Sequence, residues 1–552
     1  MSAVVSQEPD ERSIQQPAAS RTERSPVPGA RLRRVATNRT TRTPRWVLRA
    51  VSALLIVVCI LQDPGKLIAD TKLPLAEHPR HFLATALHLW DPGLDFGTIQ
   101  NQSVGYAFPM GSFFLVGRGV GLAAWLTQRL WLGLLLSVAM WGIVRLAEAF
   151  GIGRPSSRVV AGLAYACSPF MLTQLATTSA GLLGLVVAPW ALLPLVLVSR
   201  RDAHRLTPRR AAALWGVAIA AAGGVNASVT LAAVMIPALW LVICRGPGAW
   251  KLRGWWSLSL VLACAWWLLP LVLQGRYGMN FVTYSETVPV TTSVASAPEA
   301  LRGTGAWLAY LVAQRVWLPA GLTFLSSVPV IIASWVVTLG GLVGLGLLRR
   351  RRPFLLALLG VGTVLVAAGY AGPAAGLLDA GYRSALGGVL SPVRNVVKFE
   401  PLVRLPLALG LAHLLAQVPG AWRGGRAAGL RAVALVAGLA AVAVTATPLL
   451  PGRLTADGSF RAVPAYWHEA ADWMAGHSGG GRTLVIPGSA FGEYEWGRPL
   501  DEPMAWLSST PWGTRSVLPL GGRDPPACST ALRPSWCRAM RRISTSCYAA
   551  PE

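Results

Sequence analysis

The sequence is poor in charged residues. Of its 552 residues only 13% are charged, against about 25% in ordinary soluble domains, and 53% are hydrophobic. Apolar runs of about 18 to 22 residues recur along the chain, and each is long enough to cross a bilayer. This composition excludes a soluble enzyme, a disordered protein and a coiled coil, because too little polar surface would remain to face water. It predicts an all-α polytopic membrane protein.

Cysteine and histidine are also scarce, with seven of each. Four of the cysteines lie in apolar runs, where a thiol behaves as a small hydrophobic side chain. The sequence contains no CxxC pair, and only His78 and His81, which we interpret as interfacial, approach a metal-binding spacing. Walker, GxSxG and HExxH motifs are absent as well. Neither a dedicated metal site nor a redox site is therefore predicted.

Arginine supplies most of the positive charge. The net charge is +26, from 50 basic and 24 acidic residues, and only four of the basic residues are lysines. The arginines form short clusters between apolar runs, such as residues 349–352, rather than one continuous basic surface. This pattern is typical of cytosolic loops under the positive-inside rule, and we predict no nucleic-acid partner.

The apolar runs predict about eleven transmembrane helices, with the N-terminus in the cytosol. Short basic loops alternate with three long loops, which together with the residues after 449 hold most of the acids, so these parts are expected outside the cell. We name the three loops the first (63–128), second (273–324) and third (372–401) long loops. The predicted helices lie at about 46–62, 129–147, 157–176, 180–198, 210–222, 226–244, 255–272, 325–348, 354–371, 402–418 and 428–448.

The chain divides into four regions by composition. Residues 1–44 predict a disordered basic cytosolic tail, and residues 45–449 form the predicted membrane domain. Residues 450–522 read as the start of a mixed α/β extracytoplasmic domain, with a strand at 483–487. Residues 523–552 carry three cysteines and five arginines without hydrophobic periodicity. We interpret them as an anomalous tail that arose from a shifted reading frame or a damaged gene end.

The first long loop carries a carboxylate and a lysine shortly after the first predicted helix. Asp70 precedes Lys72 by two positions, and the block Gln100-Asn101-Gln102 places three amides together in a chain with only five asparagines. A carboxylate can deprotonate an acceptor hydroxyl, and amides suit the hydroxyls of a sugar. The alternative for Asp70 is an ordinary solvated acid near the end of a helix.

The other long loops offer a second carboxylate and a group of cations. Glu286 lies in the second long loop, and its alternative is again a solvated loop acid. The third long loop ends with Arg394 and Lys398, which could bind a phosphate. Arg404 follows at the start of an apolar run, where a charge is costly and requires a partner. That partner is either Glu400, one helical turn earlier, or a lipid phosphate.

Several stretches of the sequence resemble the actinobacterial α-(1→3)-arabinofuranosyltransferases, which are large membrane glycosyltransferases of the GT-C class. They are ADTKLPL, HLWDP, FGTIQNQSVGYAFPMG, RNVVKFEPLVRLPLALG and WGRPLDEP, and the resemblance runs from about residue 46 to 522. It implies a GT-C-like fold for residues 45–449, decaprenyl-phosphate arabinofuranose as donor and cell-wall arabinan as acceptor. Members of this family continue far beyond 552 residues.

The resemblance also implies roles for individual residues. Asp70 becomes the candidate catalytic base, with Glu286 as the second candidate. The residues expected to bind the donor phosphate are Lys72, Arg394 and Lys398, and those expected to bind sugar are Gln100, Asn101, Gln102 and Asn395. No cofactor is assigned, and a divalent metal ion that bridges Asp70 to the phosphate stays open.

The function expected from these residues is transfer of arabinofuranose to arabinogalactan or lipoarabinomannan, with α-(1→3) linkages, at the outer face of the plasma membrane. One alternative is a GT-C transferase of another polyprenyl-phosphate sugar, such as mannose. A lipid-linked sugar flippase is a second alternative, although it would require charges within the helices, where almost none occur. An inactive scaffold is the third.

Overall fold

The structure is a computed structural model that is largely α-helical. It describes residues 42–514 except 71, 95–96, 100–102, 200–205, 244–247, 278–285, 313–314, 374, 418–424 and 487–491. The predicted tail at 523–552 and nearly all of the predicted tail at 1–44 lie outside the described residues.

Twenty-one α-helices and six short strands make up the described part of the chain. The helices are α1 (Arg45–Ile60), α2 (Leu73–Glu77), α3 (Pro79–Ala86), α4 (Ser112–Gly119), α5 (Ala124–Phe150), α6 (Pro155–Ala166), α7 (Pro169–Leu175), α8 (Leu183–Val198), α9 (Pro208–Ala220), α10 (Ala227–Ile243), α11 (Ala249–Tyr277), α12 (Val288–Thr292), α13 (Ala297–Arg302), α14 (Pro319–Ser326), α15 (Val328–Leu347), α16 (Arg352–Ala367), α17 (Asp379–Gly387), α18 (Pro401–Gln417), α19 (Gly425–Thr445), α20 (Ala465–His477) and α21 (Met504–Leu507). The strands are β1 (Trp90–Asp91), β2 (Thr98–Ile99), β3 (Thr483–Val485), β4 (Gly492–Tyr494), β5 (Gly497–Leu500) and β6 (Trp512–Thr514).

A helix occupies each position at which the sequence predicts a transmembrane helix, but the lengths vary. The predicted span 157–176 is divided into α6 and α7 between Ala166 and Pro169, because proline disfavours helical geometry in the residue before it. Five helical stretches among the described residues are at least 18 residues long and apolar enough to cross a membrane, so the count of about eleven stays a prediction. They are Ala124–Phe150, Ser179–Val198, Ala249–Tyr277, Val328–Leu347 and Val396–Gln417.

Helices α5 and α18 form the centre of the bundle. Helix α5 packs against α1, α6 and α8, whereas α18 packs against α6, α15 and α16. The backbones of α15 and α18 come closest where a Cβ atom on Gly344 would lie 1.9 Å from the carbonyl oxygen of Gly410, so only glycine fits there. Helix α11 instead exposes Leu262 and Leu269, as expected of a helix that faces lipid.

Residues 450–514, which we name the C-terminal segment, pack along the first long loop. Strand β3 lies within the predicted strand 483–487 and pairs in parallel with β6, whereas β4 and β5 are antiparallel. The backbones of Phe460 and Leu67 exchange two hydrogen bonds of 2.7 and 3.1 Å. The hydroxyl of Thr455 donates to Asp63 over 2.6 Å. These contacts fix the position of the loop that follows α1.

Candidate active site

Asp70 lies in the loop between α1 and α2, and both of its carboxylate oxygens are bonded to Ser179. The backbone N–H of Ser179 donates to Oδ1 over 2.7 Å, and its hydroxyl donates to Oδ2 over 2.6 Å. Ser179 begins the short 3₁₀ turn that leads into α8 and is fully buried, while Asp70 is 9% exposed. The predicted base is therefore a fixed and largely buried carboxylate rather than a solvated loop acid.

Two adjacent side chains of α5 hold the loop that carries Asp70. The amide of Gln128 accepts from the backbone N–H of Ile68 over 3.1 Å and donates to its carbonyl over 2.9 Å. The guanidinium of Arg129, which is fully buried, donates to the carbonyls of Gln62 and Lys66 over 2.8 and 2.9 Å. Buried charges require such partners, so this arrangement specifies one path for the loop.

Burial changes the acid–base behaviour of Asp70. It raises the pKa of the carboxyl from 3.8 to about 6, although the hydrogen bonds from Ser179 and the charge of Arg129 oppose the rise. A general base works best when its pKa lies near the working pH. The site therefore holds a carboxylate that is ionised at neutral pH and still able to take a proton.

Lys72 forms an ion pair with Asp501 of the C-terminal segment. Its Nζ atom lies 2.7 Å from Oδ1, and the backbone N–H of Leu73 donates to Oδ2 over 2.9 Å. The Asp501 carboxylate raises the pKa of Lys72 above its ordinary value, so the amine stays protonated. The Lys72 side chain is still 43% exposed. A ligand would thus meet a cation whose charge is already partly balanced.

Glu286 belongs to a second group of polar residues, which brings the second and third long loops together. The amide of Asn395 donates to Glu286 over 3.1 Å, and Lys398 lies within electrostatic range of the same carboxylate. The loop is held to α10 by Ser228, whose hydroxyl donates to the carbonyl of Pro392 over 2.8 Å. The structure thus joins three of the predicted site residues, and Arg394 lies next to Asn395 in the third long loop.

Arg404 pairs with Glu400, which was one of the two alternatives left open by the sequence. The Nε atom of Arg404 lies 2.8 Å from Glu400 Oε2, and both side chains are at most 5% exposed. The guanidinium also donates to the carbonyls of Ala300 and Leu301. The arginine at the start of α18 therefore has partners within the chain, and Glu400 is one of them.

The remaining predicted residues can be placed only in part. Gln100, Asn101 and Gln102 lie outside the described residues. Across the described ranges of 42–514, no three His, Cys, Asp or Glu side chains group together in a way that could hold a metal ion.

Three elements of the site were missed by sequence reasoning. Ser179 gave no signal, because a serine before an apolar run is common. Arg129 did give one, since a charge at the start of a long apolar run is costly and implies a buried partner. Asp501 lies in the stretch WGRPLDEP, but its pairing with Lys72 spans 429 positions.

Comparison with known proteins identifies the family of the chain. Residues 54–527 match the family described as alpha-(1->3)-arabinofuranosyltransferase, N-terminal GT-C domain. The chain belongs to this family. It is 39% identical over 498 residues to the alpha-(1->3)-arabinofuranosyltransferase of Mycolicibacterium smegmatis, with 87% of this chain and 34% of the relative covered. The relative of the same name from Mycobacterium tuberculosis is 39% identical over 505 residues, with 88% and 35% covered.

The fold is also shared with a solved member of the family. The cryo-EM structure of the arabinofuranosyltransferase AftD from mycobacteria superposes with a TM-score of 0.70 at 35% identity, covering 92% of this chain and 33% of that one. The GT-C fold and the membrane character predicted from the sequence are thereby confirmed. The chain spans about a third of the length of the relatives it matches.

Proposed function

We propose that this chain carries the catalytic membrane domain of an α-(1→3)-arabinofuranosyltransferase. The donor is decaprenyl-phosphate arabinofuranose, and the acceptor is the arabinan of arabinogalactan or lipoarabinomannan. The proposal is supported by family membership and by one observation above all, which is the buried carboxylate of Asp70 held by Ser179 at the start of α8. A base fixed in this way suits a hydroxyl acceptor, because its position is set before substrate binds.

The reaction is a single displacement with inversion at the anomeric carbon. Asp70 accepts the proton of the acceptor hydroxyl while that oxygen bonds to the anomeric carbon, and the bond from this carbon to the phosphate oxygen breaks. The polyprenyl phosphate leaves with the electron pair, and its negative charge is balanced by Arg394 and Lys398, with Lys72 contributing less because Asp501 already pairs with it. Gln100, Asn101, Gln102 and Asn395 bind sugar hydroxyls.

The proposed orientation follows the charge of the loops. The N-terminus lies in the cytosol, the three long loops and the C-terminal segment lie outside the plasma membrane, and the site therefore meets a lipid-linked donor rather than a cytosolic nucleotide sugar. Residues 45–449 form the membrane domain, and residues 450–522 begin an extracytoplasmic domain.

Arabinose transfer by the purified chain tests this function. Protein in nanodiscs is given synthetic decaprenyl-phosphate arabinofuranose and an oligo-arabinan, and Asp70→Asn is compared with Asp379→Asn. Asp379 is the matched control, since it is the first residue of α17 and pairs with Arg383, one turn later on the same helix, over 3.0 Å. We expect transfer by the wild type and by Asp379→Asn but not by Asp70→Asn. Transfer of mannose from its polyprenyl phosphate instead of arabinose would contradict the proposed donor.

A further inference from the structure

Ser179 is placed where it controls the orientation of Asp70. Its N–H and hydroxyl bond to different oxygens of the carboxylate, over 2.7 and 2.6 Å, so rotation of the carboxylate would break at least one bond. The backbone of Ser179 is fixed by the turn Ser179–Leu182 that continues into α8. Because Ser179 is fully buried, water does not compete for either bond.

Trp131 fixes the hydroxyl of Ser179 in turn. Its indole Nε1–H donates to the Ser179 oxygen over 3.1 Å, and its ring is 2% exposed. The oxygen accepts from Trp131, and its own hydrogen is directed to Asp70. Trp131 lies on α5, two positions after Arg129. Helix α5 therefore supports both the loop that carries Asp70 and the residue that orients its carboxylate.

The ionisable groups near Asp70 are Arg129, the ion pair of Lys72 and Asp501, and Tyr106. Arg129 approaches from α5 and favours the ionised carboxylate. The ion pair of Lys72 and Asp501 joins the loop after Asp70 to the C-terminal segment. Tyr106 lies within electrostatic range of Asp70, and its pKa is raised to about 12, chiefly by burial, so it stays a neutral phenol at physiological pH. In the described part of the chain, the hydrogen bonds to the Asp70 carboxylate come from the N–H and the O–H of Ser179 and not from these groups.

We propose that Ser179 is a positioning residue of the transferase, which holds the carboxylate of Asp70 in the single orientation that receives the acceptor proton. Trp131 completes this arrangement by directing the serine hydroxyl. The catalytic role that this assigns to Ser179 rests on the proposed function. The contact itself is a property of the folded chain and can be measured without any transfer.

The test measures the protonation of Asp70 as a function of pH. With the protein in nanodiscs, pH-difference infrared spectroscopy monitors the C=O band of the protonated Asp70 carboxyl group. The band is assigned by its loss in Asp70→Asn. We expect Ser179→Ala to move the midpoint of this titration upward by about one to two pH units, because a hydrogen bond to the charged form is lost. Ser179→Thr retains the hydroxyl and is expected to titrate like the wild type. Trp131→Phe is expected to give a smaller upward shift.

A matched control separates this effect from general loosening of the bundle. Ser137 is also a buried serine, 6% exposed, and its hydroxyl donates to the carbonyl of Gly133 over 2.8 Å, within α5. Ser137→Ala is expected to leave the Asp70 midpoint unchanged. In arabinose transfer, Ser179→Ala is expected to shift the acidic limb of kcat/KM upward and to have no further effect in an Asp70→Asn background.

The outcomes test the role of Ser179 separately from the proposed function. An unchanged midpoint in Ser179→Ala, or an equal shift in Ser137→Ala, overturns the role of Ser179. If Ser179→Ala does not fold, an unchanged midpoint in Trp131→Phe overturns it as well. A shifted midpoint in a chain that transfers no arabinose supports the orientation of Asp70 by Ser179 and counts against the proposed function alone.

Discussion

The two candidate carboxylates occupy very different surroundings. Asp70 is nearly buried, and both of its oxygens are held by one residue that is itself supported by α5. Glu286 is half-buried and accepts a hydrogen bond from Asn395, which lies in another long loop. A group that must accept a proton in a defined geometry gains from the first environment. A group that adapts to a bound sugar gains from the half-buried environment of Glu286.

The largest expected difference lies in arabinose transfer. Asp70→Asn should lower kcat by about 10²–10⁴-fold, the usual contribution of a general base, whereas Glu286→Gln should lower kcat/KM by about tenfold through weaker substrate contacts. Steady-state transfer assays on the two variants measure this ratio. A greater loss in Glu286→Gln than in Asp70→Asn would reverse the assignment.

The pH dependence of transfer should follow Asp70 and not Glu286. Since burial raises the pKa of Asp70 to about 6, kcat/KM should fall about tenfold per pH unit below that value and level off above it. The acidic limb should persist in Glu286→Gln. Loss of the limb in that variant, with retained activity, would place the titrating base in the second and third long loops.

The two lysines should also differ in their effect on donor binding. Lys398→Met should raise the donor KM by about tenfold, because it removes a cation from the group around Glu286. Lys72→Met should raise it less, since Asp501 already balances much of that charge. Donor titrations at constant ionic strength compare them. Equal effects would show that Asp501 releases Lys72 when the donor binds.

The smallest expected difference is in stability. Gln128→Ala leaves the buried N–H and C=O of Ile68 without their partner and should lower the free energy of unfolding by about 1–3 kcal/mol. Asn395→Ala, on the Glu286 side, should cost less than about 1 kcal/mol because its bond is partly exposed. Thermal unfolding in detergent measures both values. Gln417, which is exposed and bonds to His413 on the same helix, offers a neutral control.

The sequence predicted those features that depend on local pattern. Apolar runs predicted the positions of the helices, and the spacing of Asp70 from the first helix placed it in the correct loop. The i, i+4 relation of Glu400 and Arg404 was visible because both lie on one helix face. The break between α6 and α7 also has a local cause, Pro169, but the predicted span 157–176 did not include a break there.

Features that depend on tertiary contact could not be predicted. Ser179 reaches Asp70 across 109 positions, and Gln128 reaches Ile68 across 60. No periodicity links such residues, since their proximity follows from the packing of α5 against α1 and α8. For the same reason, Lys72 was expected to bind the donor phosphate, and its ion pair with a carboxylate of this chain was not predicted. Its partner Asp501 lies 429 positions further along the chain.

The pairing of Lys72 with Asp501 also sets an order of events during biogenesis. A membrane chain is synthesised and inserted from its N-terminus, so the first long loop leaves the ribosome hundreds of residues before Asp501 does. Throughout that interval the loop lacks its contacts with Phe460 and Thr455 as well. The helices of the bundle therefore emerge before the first long loop can acquire these contacts, and Lys72 meets Asp501 only after most of the described residues have been synthesised.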